Sequence, residues 1–259
     1  AVLAAVSLFA RIGRIKTVHK SPLFSPHMLR TISRIAIPTI CQQSFVSVGN
    51  LLIQGLVNGM DSAVIAGYSS AIKLNTFAVN AMACISNGIS SFTAQNIGAG
   101  KQERVPQGYK AGLVFTAVCV VPFLVCYLCF SEAMIGIFFS EPSDEALRIG
   151  VSFLRAASPF YAVLGVKLLS DGVLKGAGAM KSFMAATFSD LLLRVVLSYL
   201  LVPETIAGVI PAAGMGFDGF LWAWPIGWGL SALMSLWFYL RGNWRSTAFA
   251  SSLSKTGRQ

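Results

Sequence analysis

Ser91-Phe-Thr-Ala-Gln-Asn-Ile-Gly-Ala-Gly-Lys101 ends an apolar run of helical length with an amide pair, two glycines and a base. Gly98 and Gly100 suit the left-handed backbone that follows many helices. Further bases follow at Arg104 and Lys110, where a membrane helix would reach water. The stretch predicts the exit of a helix from a membrane. Helices of soluble proteins also end in this way, so composition decides between the two.

Composition places the chain in a bilayer. Of its 259 residues, 55% are hydrophobic and 12% are charged, and the mean hydropathy is +0.68. These values lie outside the range of ordinary soluble domains. The connections are short and contain no strand alternation and no G-x-x-x-x-G-K-[ST] phosphate loop, so the sequence shows no nucleotide-driven motor.

Six stretches are long enough to cross about 30 Å of hydrocarbon as helices, at roughly 20 residues each. They are 35–57, 64–97, 111–130, 151–174, 183–201 and 220–240. The second is too long for one straight crossing, so we expect it to be bent, tilted or begun at the interface. The sequence therefore predicts an all-α, polytopic membrane protein whose six transmembrane helices lie within residues 35–241.

The placement of lysine and arginine orients these spans. One side collects fifteen bases and the single acid Glu103. The bases are Arg11, Arg14, Lys16, Lys20, Arg30, Arg34, Lys101, Arg104, Lys110, Lys175, Lys181, Arg241, Arg245, Lys255 and Arg258. The other side holds the base Arg148 and the acids Asp61, Glu132, Glu141, Asp144, Glu145, Glu204 and Asp218. We expect the basic side, with the C-terminus, to be cytoplasmic in a multi-pass protein of the plasma membrane.

The formal net charge of +10 has the same explanation. The bases are spread over loops without aromatic interleaving, so orientation explains them better than a nucleic-acid partner does. Residues 1–34 begin with only ten apolar residues, and the bases follow that run rather than precede it, unlike a signal peptide. We interpret them as the tail of a preceding membrane helix with a basic cytoplasmic linker. Residues 242–259 are expected to form a cytoplasmic tail.

No metal site, cofactor site or catalytic site is predicted. The five cysteines lie inside apolar spans, where they behave as small hydrophobic residues. Cys126-x-x-Cys129 has the spacing of a redox motif, but its apolar surroundings argue against redox activity. His19 and His27 lie in the basic linker, and the spans contain no histidine. The sequence therefore argues against an enzyme.

Two spans carry polar stripes at helical spacing. The first stripe consists of Gln43, Ser47, Asn50 and Gln54. The second consists of Lys73, Thr76, Asn80, Asn87 and Ser91. Polar groups at membrane depth must face protein or water, because unsatisfied ones cost several kcal/mol each. Two interpretations stay open: hydrogen bonds that join helices, or the walls of a water-filled substrate cavity, which Lys73 favours.

Some charges remain inside the spans, and each costs about 3 kcal/mol or more at a helix centre if it is isolated. They are Lys73, Arg155, Lys167, Asp171, Asp190 and Arg194. Spacing of i, i+4 predicts a pair of Lys167 with Asp171 and another of Asp190 with Arg194. The open alternatives are neutralised pairs or a role in proton or cation coupling. Asp171 and Asp190 are the acids placed to bind and release an ion.

Several motifs resemble the multidrug and toxic compound extrusion (MATE) family. The most specific is Ala94-Gln95-Asn96-Ile97-Gly98-Ala99-Gly100-Lys101, supported by the approach from Ala66-Gly-Tyr68 and by Asp171-Gly-Val-Leu-Lys-Gly-Ala-Gly178. Pro38-Thr-Ile-Cys-Gln-Gln-Ser44 fits the bacterial members, and the resemblance covers roughly residues 35–240. It implies twelve helices in two six-helix lobes, of which this chain is the second, with the N-terminal lobe missing.

The resemblance also implies a function. Such proteins export drugs or organic cations by antiport with sodium or protons through alternating access. Some members carry a coupling glutamate early in the first helix of this lobe, where this chain has Gln42 and Gln43 after Pro38. Asp171 and Asp190 are therefore local candidates for coupling.

Two other classes of membrane protein fit the residue pattern less well than an exporter does. A lipid-linked oligosaccharide flippase of a related superfamily would need a strongly basic cavity, which the acids and neutral amides argue against. A membrane-embedded enzyme or structural bundle would show a catalytic constellation or only packing polarity. We expect both stripes to face one shared cavity with Asp171 within reach.

Overall fold

The computed structural model describes residues 24–139, 143–206, 210–242 and 244–245, which are almost wholly helical. The helices are α1 (Pro26–Asn58), α2 (Ser62–Gly98), α3 (Arg104–Cys129), α4 (Ser131–Gly136), α5 (Asp144–Ala157), α6 (Tyr161–Gly176), α7 (Met180–Leu201) and α8 (Asp218–Leu240). A 3-10 turn, Ser158–Phe160, joins α5 to α6. Two strands of two residues each, β1 (Thr205–Ile206) and β2 (Ile210–Pro211), pair antiparallel. The all-α prediction is confirmed.

By its contacts the chain divides into residues 1–36 and residues 37–259, and the second unit holds the bundle. Residues 24–36 are the described part of the first unit and include the start of α1. The predicted remnant of an earlier helix at the N-terminus lies outside the described residues, as does the predicted tail from residue 246 onward.

Within the described residues, four helical stretches are long and apolar enough to cross a bilayer by length and composition alone: Ile32–Asn58, Arg104–Cys129, Asp144–Gly176 and Met180–Leu201. Helices α2 and α8 have comparable lengths, 37 and 23 residues. They are less hydropathic because α2 carries a polar stripe and α8 is rich in tryptophan and glycine. The overlong second span is confirmed as one helix, about 55 Å long at 1.5 Å per residue.

An aromatic core joins α2, α5 and α8. The ring of Tyr68 meets Phe153 edge-on at 5.5 Å between centroids, and Phe153 meets Trp224 in the same way at 5.6 Å. Trp224 continues to Trp228 at 5.6 Å. Edge-to-face pairs add to the burial of these rings, so they set the positions of the three helices against one another.

Helices α2 and α6 touch through their backbones because glycines face the contact. A Cβ on Gly172 would lie 2.6 Å from the Ser86 carbonyl oxygen, and Gly176 lies against the carbonyl of Ser90. The Ser86 hydroxyl donates to the Leu168 carbonyl at 2.5 Å, which ties the two helices together. Small residues allow such close approach between membrane helices.

The stretch 91–101 forms the end of α2 and the turn that follows it. Helix α2 ends at Gly98, and Gly100 takes the left-handed φ of 71°. The Lys101 amide then donates to the Asn96 carbonyl at 2.8 Å. The expectation of left-handed backbone is therefore right for Gly100 and wrong for Gly98, because Gly98 is itself the last residue of the helix. Asn96 is buried and donates its amide to the Phe92 carbonyl at 2.8 Å, whereas Gln95 is exposed.

The close approach of α6 to α2 predicts the effect of adding one methyl group. Gly176→Ala should lower the free energy of unfolding by about 1–3 kcal/mol, because the new Cβ meets the Ser90 carbonyl. Gly88→Ala is the control, since no atom lies within 4 Å of a Cβ there. It should be neutral or stabilise α2 by up to about 1 kcal/mol. Unfolding by sodium dodecyl sulfate in micelles measures both, and equal midpoints would contradict the close contact.

Candidate functional site

Four charged side chains lie buried together between α6, α7 and α8, and we call them the charge cluster. They are Lys167, Asp171, Asp190 and Arg194, which are 5%, 4%, 8% and 6% exposed. The Lys167 ammonium donates to Asp171 Oδ2 at 3.0 Å, and Asp190 Oδ2 lies 3.9 Å from the same Nζ atom. One lysine thus serves two carboxylates from neighbouring helices, and the predicted pair of Lys167 with Asp171 is confirmed.

Helix α8 closes the cluster from the third side. Ser235 donates its hydroxyl to Asp171 Oδ1 at 2.6 Å, so both oxygens of that carboxylate accept hydrogen bonds. Gly227 lies next to Asp190, and a Cβ at this position would lie 3.0 Å from Asp190 Oδ1. The lack of a side chain at Gly227 therefore lets α8 approach the acid on α7.

Arg194 does not form the ion pair with Asp190 that the i, i+4 spacing predicted. Its guanidinium carbon lies 4.5 Å from the ring centroid of Trp224, over the indole face. Within the described ranges, the ion pair of Asp190 is with Lys167. The prediction failed because partners from other helices, a lysine for the acid and a tryptophan for the base, replaced the pairing within α7.

Two polar atoms of the cluster, Asp190 Oδ1 and Arg194 Nε, are buried without a hydrogen-bond partner among the described residues, and so is Nε1 of the neighbouring Trp224. Burying such a group without a partner costs about 1–3 kcal/mol. Asp190 therefore differs from Asp171, whose two oxygens are both engaged. It is the carboxylate with one oxygen that makes no hydrogen bond among the described residues.

The stripe on α1 lies on an exposed face. Gln43, Ser47 and Asn50 are exposed, and Gln54 is half-buried. The opposite side of α1 packs on α7, where Phe45 meets Phe188 at 4.8 Å and Gly49 lies against Leu191. The polar side chains also bond locally. The Ser47 hydroxyl donates to the Gln43 carbonyl at 3.0 Å, and the Gln54 amide donates to Asn58 at 2.8 Å.

The stripe on α2 is also exposed, opposite the face that packs on α5 and α6. Its members Lys73, Thr76, Asn80, Asn87 and Ser91 are all exposed. The buried face of the same helix carries Ala71, Ala78 and Met82. Lys175 at the end of α6 donates to Asn87 Oδ1 at 3.2 Å, and the Lys73 ammonium lies 5.2 Å from the Phe138 ring centroid.

The charge cluster and the α2 stripe lie on different sides of α6. Asp171 faces Ser235 on α8, whereas the exposed α2 stripe meets α6 at the C-terminal end of that helix, where Lys175 donates to Asn87. The described hydrogen bonds of Asp171 are to Lys167 and Ser235, and its place within reach of a cavity bounded by the stripes stays a prediction. A cavity shared by the two stripes stays a prediction.

The residues that α8 supplies were not found from the sequence. Ser235 and Trp224 lie in a span rich in apolar and aromatic side chains. In such a span a single serine does not indicate a site, and a tryptophan indicates a residue of the hydrophobic core. The available signal was the face on which Gly227, Ser231 and Ser235 repeat every four residues. Such a face indicates close helix contact and does not by itself indicate a partner for an aspartate.

This architecture and this site together define a class: one helical lobe of a polytopic membrane protein, with charges paired in its interior and amides on its exposed faces. The MatE family model matches residues 38–200, which is more than half of the chain. The chain therefore belongs to the MatE family, and the resemblance noted in its motifs is confirmed.

Known relatives agree with this assignment. The probable multidrug resistance protein YpnP of Bacillus subtilis (strain 168) is 26% identical over 149 residues, which is 58% of this chain and 33% of the relative. The probable multidrug resistance protein NorM of Thermotoga maritima is 22% identical over 221 residues, which is 85% of this chain and 45% of the relative.

A solved structure of MATE in the bent conformation supports the fold. It matches with a TM-score of 0.73 at 18% identity, over 95% of this chain and 50% of its own. At this identity the likeness shows the fold alone. The chain thus spans half or less of the length of these three proteins.

Removal of the shared lysine should expose how much the charge cluster depends on it. Lys167→Met is expected to lower the free energy of unfolding by about 3–5 kcal/mol, because two buried carboxylates lose their common counter-ion. Adding Asp171→Asn to that variant should restore part of the loss, since one uncompensated acid is removed. Denaturation in detergent micelles, followed by tryptophan fluorescence, measures both variants.

The chain offers its own control for this experiment. Arg155 and Glu132 form an ion pair of 3.2 Å whose side chains are 48% and 67% exposed. Arg155→Met should therefore change the stability by about 1 kcal/mol or less. If Lys167→Met proves as mild as Arg155→Met, the described cluster does not hold the lobe together.

Proposed function

We propose that this chain forms one lobe of a secondary active efflux transporter, which exports organic and often cationic compounds in exchange for sodium ions or protons. The charge cluster carries the proposal, because ionisable groups inside a membrane bundle are costly and typically mark ion pathways. Membership of the MatE family supports transport rather than enzymatic chemistry. Two relatives named as probable multidrug resistance proteins support drug export.

In this proposal Asp190 binds the coupling ion and Asp171 positions Lys167. Asp171 is engaged at both oxygens, whereas Asp190 has a free oxygen and the longer contact to Lys167, at 3.9 Å. Neutralising Asp190 removes its attraction to Lys167 on α6 and so changes the preferred position of α7 against α6. Of the two candidate ions, the cluster favours a proton, because two nearby bases repel a metal cation.

The substrate path in this proposal runs along the exposed amides rather than through the charge cluster. Gln43, Ser47, Asn50 and Gln54 on α1, with Lys73, Asn80 and Asn87 on α2, form one wall of the cavity. The N-terminal lobe that the family resemblance implies supplies the other wall. The supporting observations are the exposure of these polar side chains on membrane helices and the greater length of the related proteins.

Alternating access then follows from the two separate sites. The ion and the substrate must favour different conformations if one is to drive the other. The cluster and the α2 stripe lie on different sides of α6. In this proposal the ion therefore acts on the substrate wall through movement of helices, and the ion and the substrate do not compete for one site. We orient the lobe with its basic end, and therefore the C-terminus, in the cytoplasm.

Substitution of the proposed ion ligand tests coupling. The assay uses inverted membrane vesicles that contain this chain together with its N-terminal lobe. In them, Asp190→Asn should reduce proton-driven transport of ethidium, an organic cation, by a factor of about ten or more. Asp144→Asn is the control, because this acid is exposed at the start of α5, and it should leave transport within about twofold of the parent.

Varying sodium and pH separately in the same vesicles identifies the ion. Proton-driven transport unchanged in Asp190→Asn would remove this residue from the mechanism. Transport that follows a sodium gradient alone would overturn the choice of the proton. No gradient-driven ethidium transport by the parent protein would contradict the proposed export of organic cations.

Labelling with a water-soluble, membrane-impermeant maleimide tests the substrate wall. In a variant without the five native cysteines, Asn50→Cys and Asn80→Cys should react at least about tenfold faster than Val118→Cys, because the reactive thiolate forms in water. Val118 is 64% exposed on the outer face of α3, where the proposal places lipid. Equal rates at all three positions would show that the stripes do not line a water-filled path.

A further inference from the structure

A second site lies at the basic end of the bundle, where α3 begins and α8 ends. A cavity of about 310 Å³ opens there, and we call it the basic pocket. Its lining includes Pro106, Tyr239, Arg241, Gly242, Trp244 and Arg245. It contains none of the residues assigned to ion coupling or to the substrate wall.

A sharp turn after α8 builds the pocket. Gly242 adopts a φ of 72°, and the Arg245 amide donates to the Gly242 carbonyl at 2.8 Å. Trp244 is 2% exposed and donates its indole N–H to the Tyr239 carbonyl at 3.2 Å. The turn therefore fixes Trp244 against the end of α8, and places Arg245 at the same mouth as Arg241.

Stacked aromatic rings form the floor. Tyr109 at the start of α3 stacks on Tyr239 with 4.2 Å between ring centroids and 23° between planes. Tyr239 in turn lies nearly parallel to Trp244, at 6.3 Å and 11°. The Tyr109 hydroxyl is within hydrogen-bond distance of Ser170 Oγ, at 2.9 Å, which anchors the floor to α6. The pocket is thus held by three helices.

The guanidinium groups of the two arginines at the mouth each lie against an aromatic ring. The Arg241 guanidinium lies 4.0 Å from the Trp237 ring centroid, and that of Arg245 lies 4.9 Å from the Trp244 ring centroid. Within the described ranges, no carboxylate comes within 4.0 Å of either group. Both side chains are exposed, so their N–H groups are available to an anion.

We propose that the basic pocket binds the phosphate of an anionic phospholipid headgroup. Guanidinium groups recognise phosphate oxygens through paired hydrogen bonds. Leu240 and Trp237, beside the arginines, are 72% and 47% exposed, which places apolar surface for acyl chains next to the charges. Tryptophan and tyrosine are typical of the level of the headgroups. Basic pockets between helices at a membrane surface bind anionic lipids.

Lipid binding to the detergent-solubilised chain tests the proposal by native mass spectrometry. Dioleoyl-phosphatidylglycerol should bind more tightly than dioleoyl-phosphatidylcholine, and inorganic phosphate should neither bind measurably nor displace it. Arg241→Gln with Arg245→Gln should weaken phosphatidylglycerol binding by roughly fivefold for each base, or about 25-fold together. Arg241→Lys with Arg245→Lys should fall between, because the charge stays and the paired donors are lost.

Lys101→Gln with Lys181→Gln is the matched control. It removes the same charge from the same end of the bundle at exposed positions outside the pocket lining, and binding should stay within about twofold. Equal loss in the control would show a diffuse attraction and overturn the site. Equal affinity of the parent chain for phosphatidylglycerol and phosphatidylcholine would also overturn the site. Displacement of phosphatidylglycerol by inorganic phosphate would assign the pocket to a soluble anion.

Discussion

The ion pair of Lys167 with Asp171 is the contact on which the interior of this lobe depends. At 3.0 Å and almost fully buried, it is stable only while both partners stay in place. The same lysine holds Asp190 on α7, and Ser235 on α8 completes the acceptor side of Asp171. Three helices are therefore joined by polar contacts inside an apolar bundle. Gly227 beside Asp190 makes this possible, since a side chain there would push α8 away from α7.

The polar residues of the lobe fall into two sets with opposite surroundings. The charge cluster faces inward between α6, α7 and α8, and the amide stripes face outward on α1 and α2. Because α6 lies between the cluster and the α2 stripe, a change of charge at Asp190 reaches the stripe only through the packing of helices. In the proposed mechanism, the tight contact of α6 with α2 through the Ser86 hydroxyl would carry such a change.

Much of this arrangement is predictable from local patterns. Apolar length located the spans, helical spacing located both stripes, and i, i+4 spacing identified Lys167 with Asp171 correctly. The same rule failed for Asp190 with Arg194, because contacts across helices replaced the local pair. Ser235 escaped detection for a related reason: a lone serine in an apolar span has no distinguishing pattern until the fold brings it to Asp171. Whether exposed amides line a cavity depends on a partner surface, which periodicity within one chain does not describe.

The stacking of Arg194 on Trp224 has an optical consequence. Indole emission responds to nearby charge and to its orientation, and this ring lies 4.5 Å from a guanidinium that shares α7 with Asp190. A shift of α7 against α8 would alter that geometry without any label being attached. The lobe thus contains its own spectroscopic sensor, built into the same contact that shields a buried cation from lipid.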